Sequence, residues 1–316
     1  MAGLPKVAQR LSLTICSELV NGPLNLTETI LSGQTAEPEW VRQGEAFTDV
    51  EVLGGAPVKY SLSQAGDPDK FSLEANAIIK EQVSSRNELV ASLRDHLTGV
   101  LGLNDDLNSF YREFEEDKVI SATFRNLRGL RLMRGTDLFK ALICSILSQN
   151  NSVRLWNRSA RLLMKHFGRK INFLDGSTEF FFPRPETLAK LNPTELRSKT
   201  SIGYRANPVV AVSRMINSAE LDLDKIANES YEKAKDMLLE LPGVGPKVAD
   251  CFLLYGAGHL QAAPVDIWIH RIVSKRYFRG RKVSRMKTGE FLRDRFHDWA
   301  GYAQLYLFDY ARTGKV

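Results

Sequence analysis

Cysteine is scarce in this chain of 316 residues: there are three, Cys16, Cys144 and Cys251. They stand too far apart to form a C-x-x-C pair or a metal-ligand set, and their spacing does not suit a four-cysteine iron–sulfur cluster. No metal and no organic cofactor is expected. No apolar run approaches the ~20 residues that a membrane helix needs. The first ten residues, Met1 to Arg10, lack the charged and apolar regions of a secretory signal. The expectation is an intracellular, reducing compartment and no membrane partner. There is no internal repeat and no low-complexity tail.

What is present is ordinary in amount and uneven in arrangement. A hydrophobic fraction of 43% suits a globular protein with a full core, as one large domain or two moderate ones. The formal net charge is +6, a mild excess compatible with a polyanion partner without requiring one. From about Leu24 to Ala75 the pattern is that of strands. Leu24 and Leu26, then Val50 and Val52, then Val58, Tyr60 and Leu62 alternate with other residues. Turn residues at Gly54-Gly55-Ala56-Pro57 and Ala65-Gly66-Asp67-Pro68 separate them. A small antiparallel sheet is expected, with Leu31-Ser32-Gly33-Gln34 at its first turn.

From about Ser85 onward the spacing predicts helices throughout. Leu89, Leu93 and Leu97 open that pattern; Leu142, Ile143, Ile146 and Leu147, then Leu155, Ala160, Leu162 and Leu163, continue it. Pro183 and Pro185 break the chain, and Pro193 starts a helix. Ser230 is a suitable N-cap without a capping box, because Lys233 stands three residues later. Residues from Phe291 to Tyr310 form a last, aromatic-rich helical region. The expected class is α+β: a β-rich part, residues 1–104, and a mainly helical part, residues 105–316, with the boundary between 85 and 115.

The most informative stretch is Leu241-Pro242-Gly243-Val244-Gly245-Pro246-Lys247-Val248-Ala249-Asp250, read with Asp266 nineteen positions beyond Lys247. Leu241 to Gly245 fits a helix–hairpin–helix. Gly243 and Gly245 allow positive φ and a close backbone approach, and Pro246 suits the first helical position. The free N–H groups and the positive dipole end of the second helix then face an anion such as a DNA phosphate. A plain connection between two helices would look similar. Lys247 in the first helical turn is either a surface lysine or a nucleophilic amine. The dipole there disfavours a cation, and partial burial works the same way, both favouring a Schiff-base lysine. Cys251, four residues on, shares its face and by itself reads as a small core residue. Asp266 reads as an N-cap of the helix starting at Ile267, and also as a carboxylate placed to steady a cationic sugar. Lys275-Arg276-Tyr277-Phe278-Arg279-Gly280-Arg281-Lys282 is basic with interleaved aromatics, either tracking phosphates or forming a solvated face.

At these positions the chain resembles the 8-oxoguanine DNA glycosylases with AP-lyase activity, of the helix–hairpin–helix–GPD superfamily. The likeness runs from about Leu24 to Ala311. Its most specific segments are Leu241 to Cys251, Gln261 to Asp266, Gly203-Tyr204-Arg205-Ala206, and Ala300 to Phe308, with the Ser32-Gly33-Gln34 turn. The resemblance implies a mainly helical core behind an N-terminal antiparallel sheet, and a monomer that works without a cofactor on duplex DNA containing oxidised guanine. It implies Lys247 as nucleophile and Asp266 as catalytic carboxylate. Gly33, Cys251, Gln304 and Phe308 would form the damaged-base pocket. Gln149, Asn150, Arg154, Tyr204 and Arg205 would read the opposite cytosine and fill the gap in the stack. Gly243, Val244 and Gly245 would hold the DNA backbone.

The chain departs from the family pattern in three places. Gln149 opens a run usually made of three asparagines, Trp268 stands where a histidine near the phosphate is common, and Thr35-Ala36-Glu37-Pro38-Glu39-Trp40 carries an insertion-like Glu-Pro-Glu. Two other readings stay open. One is a glycosylase of the same fold acting on another damaged purine, against which Lys247 argues, since monofunctional relatives lack it. The other is a non-catalytic helix–hairpin–helix module, which needs neither Lys247 nor Asp266.

Overall fold

The computed structural model describes residues 9–36, 38, 40–80 and 85–313. Residues 1–8 and Glu37 and Glu39 lie outside the described residues, so the readings of the chain start and of the Glu-Pro-Glu segment end with the sequence. Strand β1 (Gln9–Cys16) comes first, then a short helix, α1 (Leu26–Leu31). Strands β2 (Val41–Gln43), β3 (Ala46–Leu53), β4 (Ala56–Gly66) and β5 (Phe71–Ile79) complete an antiparallel sheet in the order β1-β5-β4-β3-β2. Alternation sets its faces. Phe71, Leu73, Ala75, Ala77 and Ile79 of β5 are buried, with Val58, Tyr60 and Leu62 of β4 and Leu11, Leu13 and Ile15 of β1. On the opposite face Val50 and Ile78 pack on a smaller cluster of Ile171, Phe173 and Phe181.

Helices α2 (Arg86–Val100), α3 (Leu107–Glu113), α4 (Ser121–Phe124), α5 (Leu138–Leu147) and α6 (Val153–Phe167) follow. A short hairpin, β6 (Lys170–Asn172) with β7 (Thr178–Phe180), interrupts them, where the sequence predicts helix throughout. Then come α7 (Pro185–Ala189), α8 (Pro193–Lys199), α9 (Ala206–Asn217), α10 (Leu223–Ala227) and α11 (Tyr231–Leu239). The last four are α12 (Pro246–Tyr255), α13 (Ile267–Arg276), α14 (Arg285–Phe296) and α15 (Ala300–Arg312). The architecture is α+β. One hydrophobic cluster runs from Leu11 on β1 to Leu307 on α15. No helix of the described residues is long and apolar enough to cross a membrane.

The strand expectation at Leu24 and Leu26 is corrected: Leu26 starts α1. Asn25 caps that helix, its Oδ1 accepting from Glu28 N at 3.0 Å. The flanking backbone is met by a side chain instead of a strand. Leu26 N donates to Gln64 Oε1 at 2.7 Å, and Gln64 Nε2 donates to Leu24 O at 2.8 Å. The Leu31–Gln34 turn therefore follows a helix and is not a turn of the sheet. Ser230 precedes α11 without a side-chain cap bond.

A buried guanidinium ties the N-terminal segment to the helices. Arg131 is 0% exposed. Its Nε donates to Pro23 O at 2.8 Å, its Nη1 to Gly102 O at 2.6 Å, and its Nη2 to Asn21 O at 2.8 Å. A planar group with fixed, divergent donors suits this site, where the acceptors lie on separate segments. Arg131→Lys keeps the charge but offers donors from a single point, leaving buried carbonyls unmet. The expected loss is about 2–4 kcal/mol, seen as a lower urea midpoint. An unchanged midpoint would show that Arg131 is not needed there.

Candidate active site

The hairpin between α11 and α12 is stiffened from behind. Lys235 on α11 pairs with Asp250 on α12 at 2.9 Å, and Tyr231 donates to the same carboxylate at 2.7 Å. Arg293 on α14 donates to the Tyr231 hydroxyl at 3.2 Å. Burial pushes the Asp250 carboxyl up, and Lys235 pulls it back toward the charged form. Gly243 has φ +77°, and a Cβ there would stand 2.5 Å from Pro208 Cβ, so both the turn and the packing call for glycine. Gly245 departs from the sequence expectation: its φ is −103°, and it serves as the N-cap of α12 with Pro246 next. No side chain caps this helix end, and the space beside Gly245 is open, a geometry that suits an anion.

Lys247, in the first turn of α12, is half-buried. Its Nζ donates to Ser148 Oγ at 2.6 Å, and Ser148 Oγ in turn donates to Ser145 O at 2.7 Å. Ser148 caps the C-terminal end of α5. The sequence reading counted only the positive end of the α12 dipole at this amine. The fold brings the negative end of α5 to the same nitrogen, so the two partial charges oppose each other. The adjoining Gln149 Nε2 donates to Gly243 O at 3.3 Å.

One turn along α12, Cys251 is 2% exposed. Burial pushes its thiol up, while the adjacent Lys247 ammonium and the Thr35 hydroxyl pull the other way. Two turns along, Tyr255 donates a long bond to Gln304 Oε1 at 3.5 Å. Burial first, then the facing Cys251 and Asp266, hold the Tyr255 phenol well above its ordinary range. Asp266 caps α13, Oδ1 accepting from Ile269 N at 2.8 Å, and so does what its position beside Ile267 predicts. Its other oxygen remains for other work.

The Gly33 turn approaches from the N-terminal segment. Gly33 has φ +82°, and a Cβ on it would stand 2.6 Å from Val153 Cγ2. Gln34 locks the turn: its Nε2 donates to Ser32 Oγ and to Arg131 O, both at 2.9 Å, and its Oε1 accepts from Met133 N at 2.8 Å. From the C-terminal side Arg312 donates to Leu31 O at 3.1 Å. Its guanidinium lies 5.8 Å from the ring of Phe308. Phe308 is half-buried and stands one turn beyond the buried Gln304 on α15. Contacts thus tie the Gly33 turn to α15 through Arg312, and α12 to α15 through Tyr255 and Gln304.

A second group adjoins this one. Asn150 has φ +47°. Its Nδ2 donates to the Tyr204 hydroxyl at 3.3 Å, and that hydroxyl donates to Gln149 Oε1 at 3.1 Å. Tyr204 is 53% exposed. Arg205, expected from the resemblance to read the opposite cytosine, is bonded within the protein. It is buried, with Nε on Gln149 O at 2.9 Å and Nη2 on the carbonyls of Gln149 and Asn150. In this form it holds the turn that carries Gln149 and Asn150. Arg154 is exposed on α6, next to the Val153 that contacts Gly33.

Four residues of this neighbourhood escaped the sequence reading. Ser148 and Thr35 are 99 and 212 positions from Lys247, and Val153 meets Gly33 only through the fold. Tyr255 had a signal, since it continues the Lys247–Cys251 spacing. The basic run at 275–282 divides. Tyr277 and Phe278 pack against Phe291 at 4.9 and 5.0 Å, while Lys275, Arg276, Arg279, Arg281 and Lys282 face outward. A cleft of about 1050 Å³ lies between β3, α6 and the β6–β7 hairpin and contains none of the expected catalytic residues.

Gly33→Ala sets a methyl against Val153 and forces an alanine into left-handed backbone. The expected cost is about 1–3 kcal/mol, measured by thermal unfolding, with base excision reduced beyond that loss. Wild-type stability and excision would show that the turn is not constrained as described.

The geometry agrees with what comparison with known proteins shows. Residues 143–297 match the model of the HhH-GPD superfamily base excision DNA repair proteins. A probable N-glycosylase/DNA lyase of Methanothermobacter thermautotrophicus is 34% identical, with 92% of this chain and 94% of that protein covered. Among solved structures, MBOgg1 in complex with a low-affinity DNA ligand aligns with a TM-score of 0.80 at 26% identity, over 98% of this chain and all of that one. The Clostridium acetobutylicum 8-oxoguanine glycosylase/lyase, in complex with DNA containing cytosine opposite 8-oxoguanine, aligns with a TM-score of 0.78 over 98% of this chain and 99% of that one. At 22% identity that second likeness speaks to fold alone. The chain belongs to the HhH-GPD superfamily of base excision DNA repair proteins, in its N-glycosylase/DNA lyase branch, and is an enzyme that acts on DNA.

Proposed function

We propose that the protein excises 8-oxoguanine paired with cytosine from duplex DNA and then cleaves the strand through a lysine Schiff base. The observation that carries this reading is the meeting of a lysine amine and the Gly33 turn on one face of α12. Thr35, two residues past Gly33, adjoins the Cys251 thiol, which adjoins Lys247. Guanine N7 only accepts a hydrogen bond, whereas 8-oxoguanine carries N7–H. A carbonyl fixed in place at Gly33 rewards the lesion and leaves guanine with two acceptors facing each other. The β-rich part, residues 1–104, is then the arm that delivers this carbonyl to the helical part, residues 105–316.

The lesion leaves the stack, since its glycosidic bond is out of reach inside the duplex. Tyr204, Gln149 and Asn150 occupy the space. Arg154 reads the cytosine, and Arg205 joins it once the Gln149 and Asn150 carbonyls release its guanidinium. Gly243, Val244 and Gly245 hold the backbone at the α12 N-terminus. Cys251 and Phe308 sandwich the base, and Gln304 reads its Watson–Crick edge. Asp266 offsets the positive charge that grows on the sugar as the bond lengthens. Lys247 Nζ bonds to C1′ as the C1′–N9 bond breaks, and the base leaves with that electron pair and takes up a proton. Ring opening gives the imine, loss of a C2′ proton expels the 3′ phosphate, and water returns the free amine. One copy of the chain suffices, and no cofactor enters.

The test is a duplex with one 8-oxoguanine opposite cytosine. The expected result is release of the base and a nick without added alkali. Lys247→Gln should bind the same duplex with little loss while excision falls by at least 10³-fold. Release of an alkylated purine in place of 8-oxoguanine would overturn the substrate. Binding without turnover by the wild type would favour the non-catalytic module.

A further inference from the structure

A dense run of positive charge lies on α6 and the turn after it. Between residues 149 and 174 there are six Lys and Arg residues, Arg154, Arg158, Arg161, Lys165, Arg169 and Lys170, and no Asp or Glu. The first four lie on α6 at spacings of four, three and four, hence along one face, and all four are exposed. Arg158 and Lys165 enter no ion pair within the protein among the described residues. The stripe borders an open groove of about 550 Å³ that Val153, Leu162 and Arg312 also line.

We infer that this face of α6 binds the phosphates of the strand opposite the lesion, continuing away from the cytosine-reading turn. Three observations carry this. The charged side chains that α6 itself carries are all basic, the complement of a polyanion. The face is continuous with the proposed opposite-base group, since α6 begins three residues after Asn150 and its second residue is Arg154. Its length fits: eleven residues from Arg154 to Lys165 span about 16 Å, the axial rise of about five nucleotides of one strand. The inference rests on the DNA-repair reading above. It adds Arg158 and Lys165 as residues that fix register and affinity on the duplex without touching the reacting atoms.

The experiment compares wild type with Arg158→Gln/Lys165→Gln, using fluorescence anisotropy on an undamaged duplex across a salt series. Each lost phosphate contact lowers the slope of log K against log salt by about 1, so the double variant should fall by about 2. Single-turnover excision at saturating enzyme and the melting temperature should stay at wild-type values. Shortening the opposite strand on either side of the cytosine locates the phosphates. On one side it should cost the wild type as much as the substitutions do and cost the variant nothing more. An unchanged salt slope would overturn the inference. So would a loss reproduced by shortening the damaged strand and not the opposite one. A wild type that neither binds DNA nor releases base would overturn the underlying function instead, so the two failures are distinct.

Discussion

Two helix ends meet at one amine, and the rest of the site depends on that meeting. The C-terminal end of α5 supplies Ser148 and Gln149, and the N-terminal end of α12 supplies Gly243, Gly245 and Lys247. The 2.6 Å bond from Lys247 to Ser148 and the 3.3 Å bond from Gln149 to Gly243 join them. Such ends normally leave backbone donors and acceptors unmet. Here the α5 end is turned inward to hold the lysine, and the α12 end is left uncapped by any side chain. The same contact sets the amine, the gap-filling turn and the hairpin in fixed relation. Behind them the Lys235–Asp250 pair keeps the two helices of the hairpin from sliding.

The N-terminal sheet contributes no expected catalytic side chain, yet it positions a main-chain group. Its connection to the helices is built from satisfied polar groups: the buried Arg131 on carbonyls, the buried Gln34 on the backbone at 131 and 133, and the half-buried Gln64 on the backbone at 24 and 26. Main-chain hydrogen bonds of this kind are costly to leave unmade, so the Gly33 turn has few alternative positions. Arg312 closes the turn from the other side and binds α15, with Gln304 and Phe308, to the same segment. The Gly33 turn near one end of the chain and α15 near the other are therefore held in one arrangement.

Much of this was legible in the residues, for identifiable reasons. The hairpin, Lys247 and Asp266 lie within 26 positions, so local turn and capping chemistry exposes them. Strands β3 and β4 announce themselves by alternation and by Gly54-Gly55. What was missed divides into two kinds. Some signals were local and present, as with the Leu11, Leu13, Ile15 alternation of β1, the Asn25 cap of α1, and Tyr255 at helical spacing from Cys251. Others exist only in three dimensions. Nothing near Ser148 announces a lysine 99 positions away, and nothing near Arg205 announces that the carbonyls of Gln149 and Asn150 bury it. The β6–β7 strands, three residues each, are too short for periodicity to register.

In the proposed mechanism the Lys247 amine, held between two opposed helix ends, bonds to the sugar. The most direct measurement is to reduce the enzyme–DNA intermediate with borohydride, digest the adduct with protease, and sequence the modified peptide by mass spectrometry. The account predicts a single modified residue, Lys247, carrying the remnant of the sugar. Modification of another lysine, or of the chain's terminal amine, with Lys247 intact would contradict it.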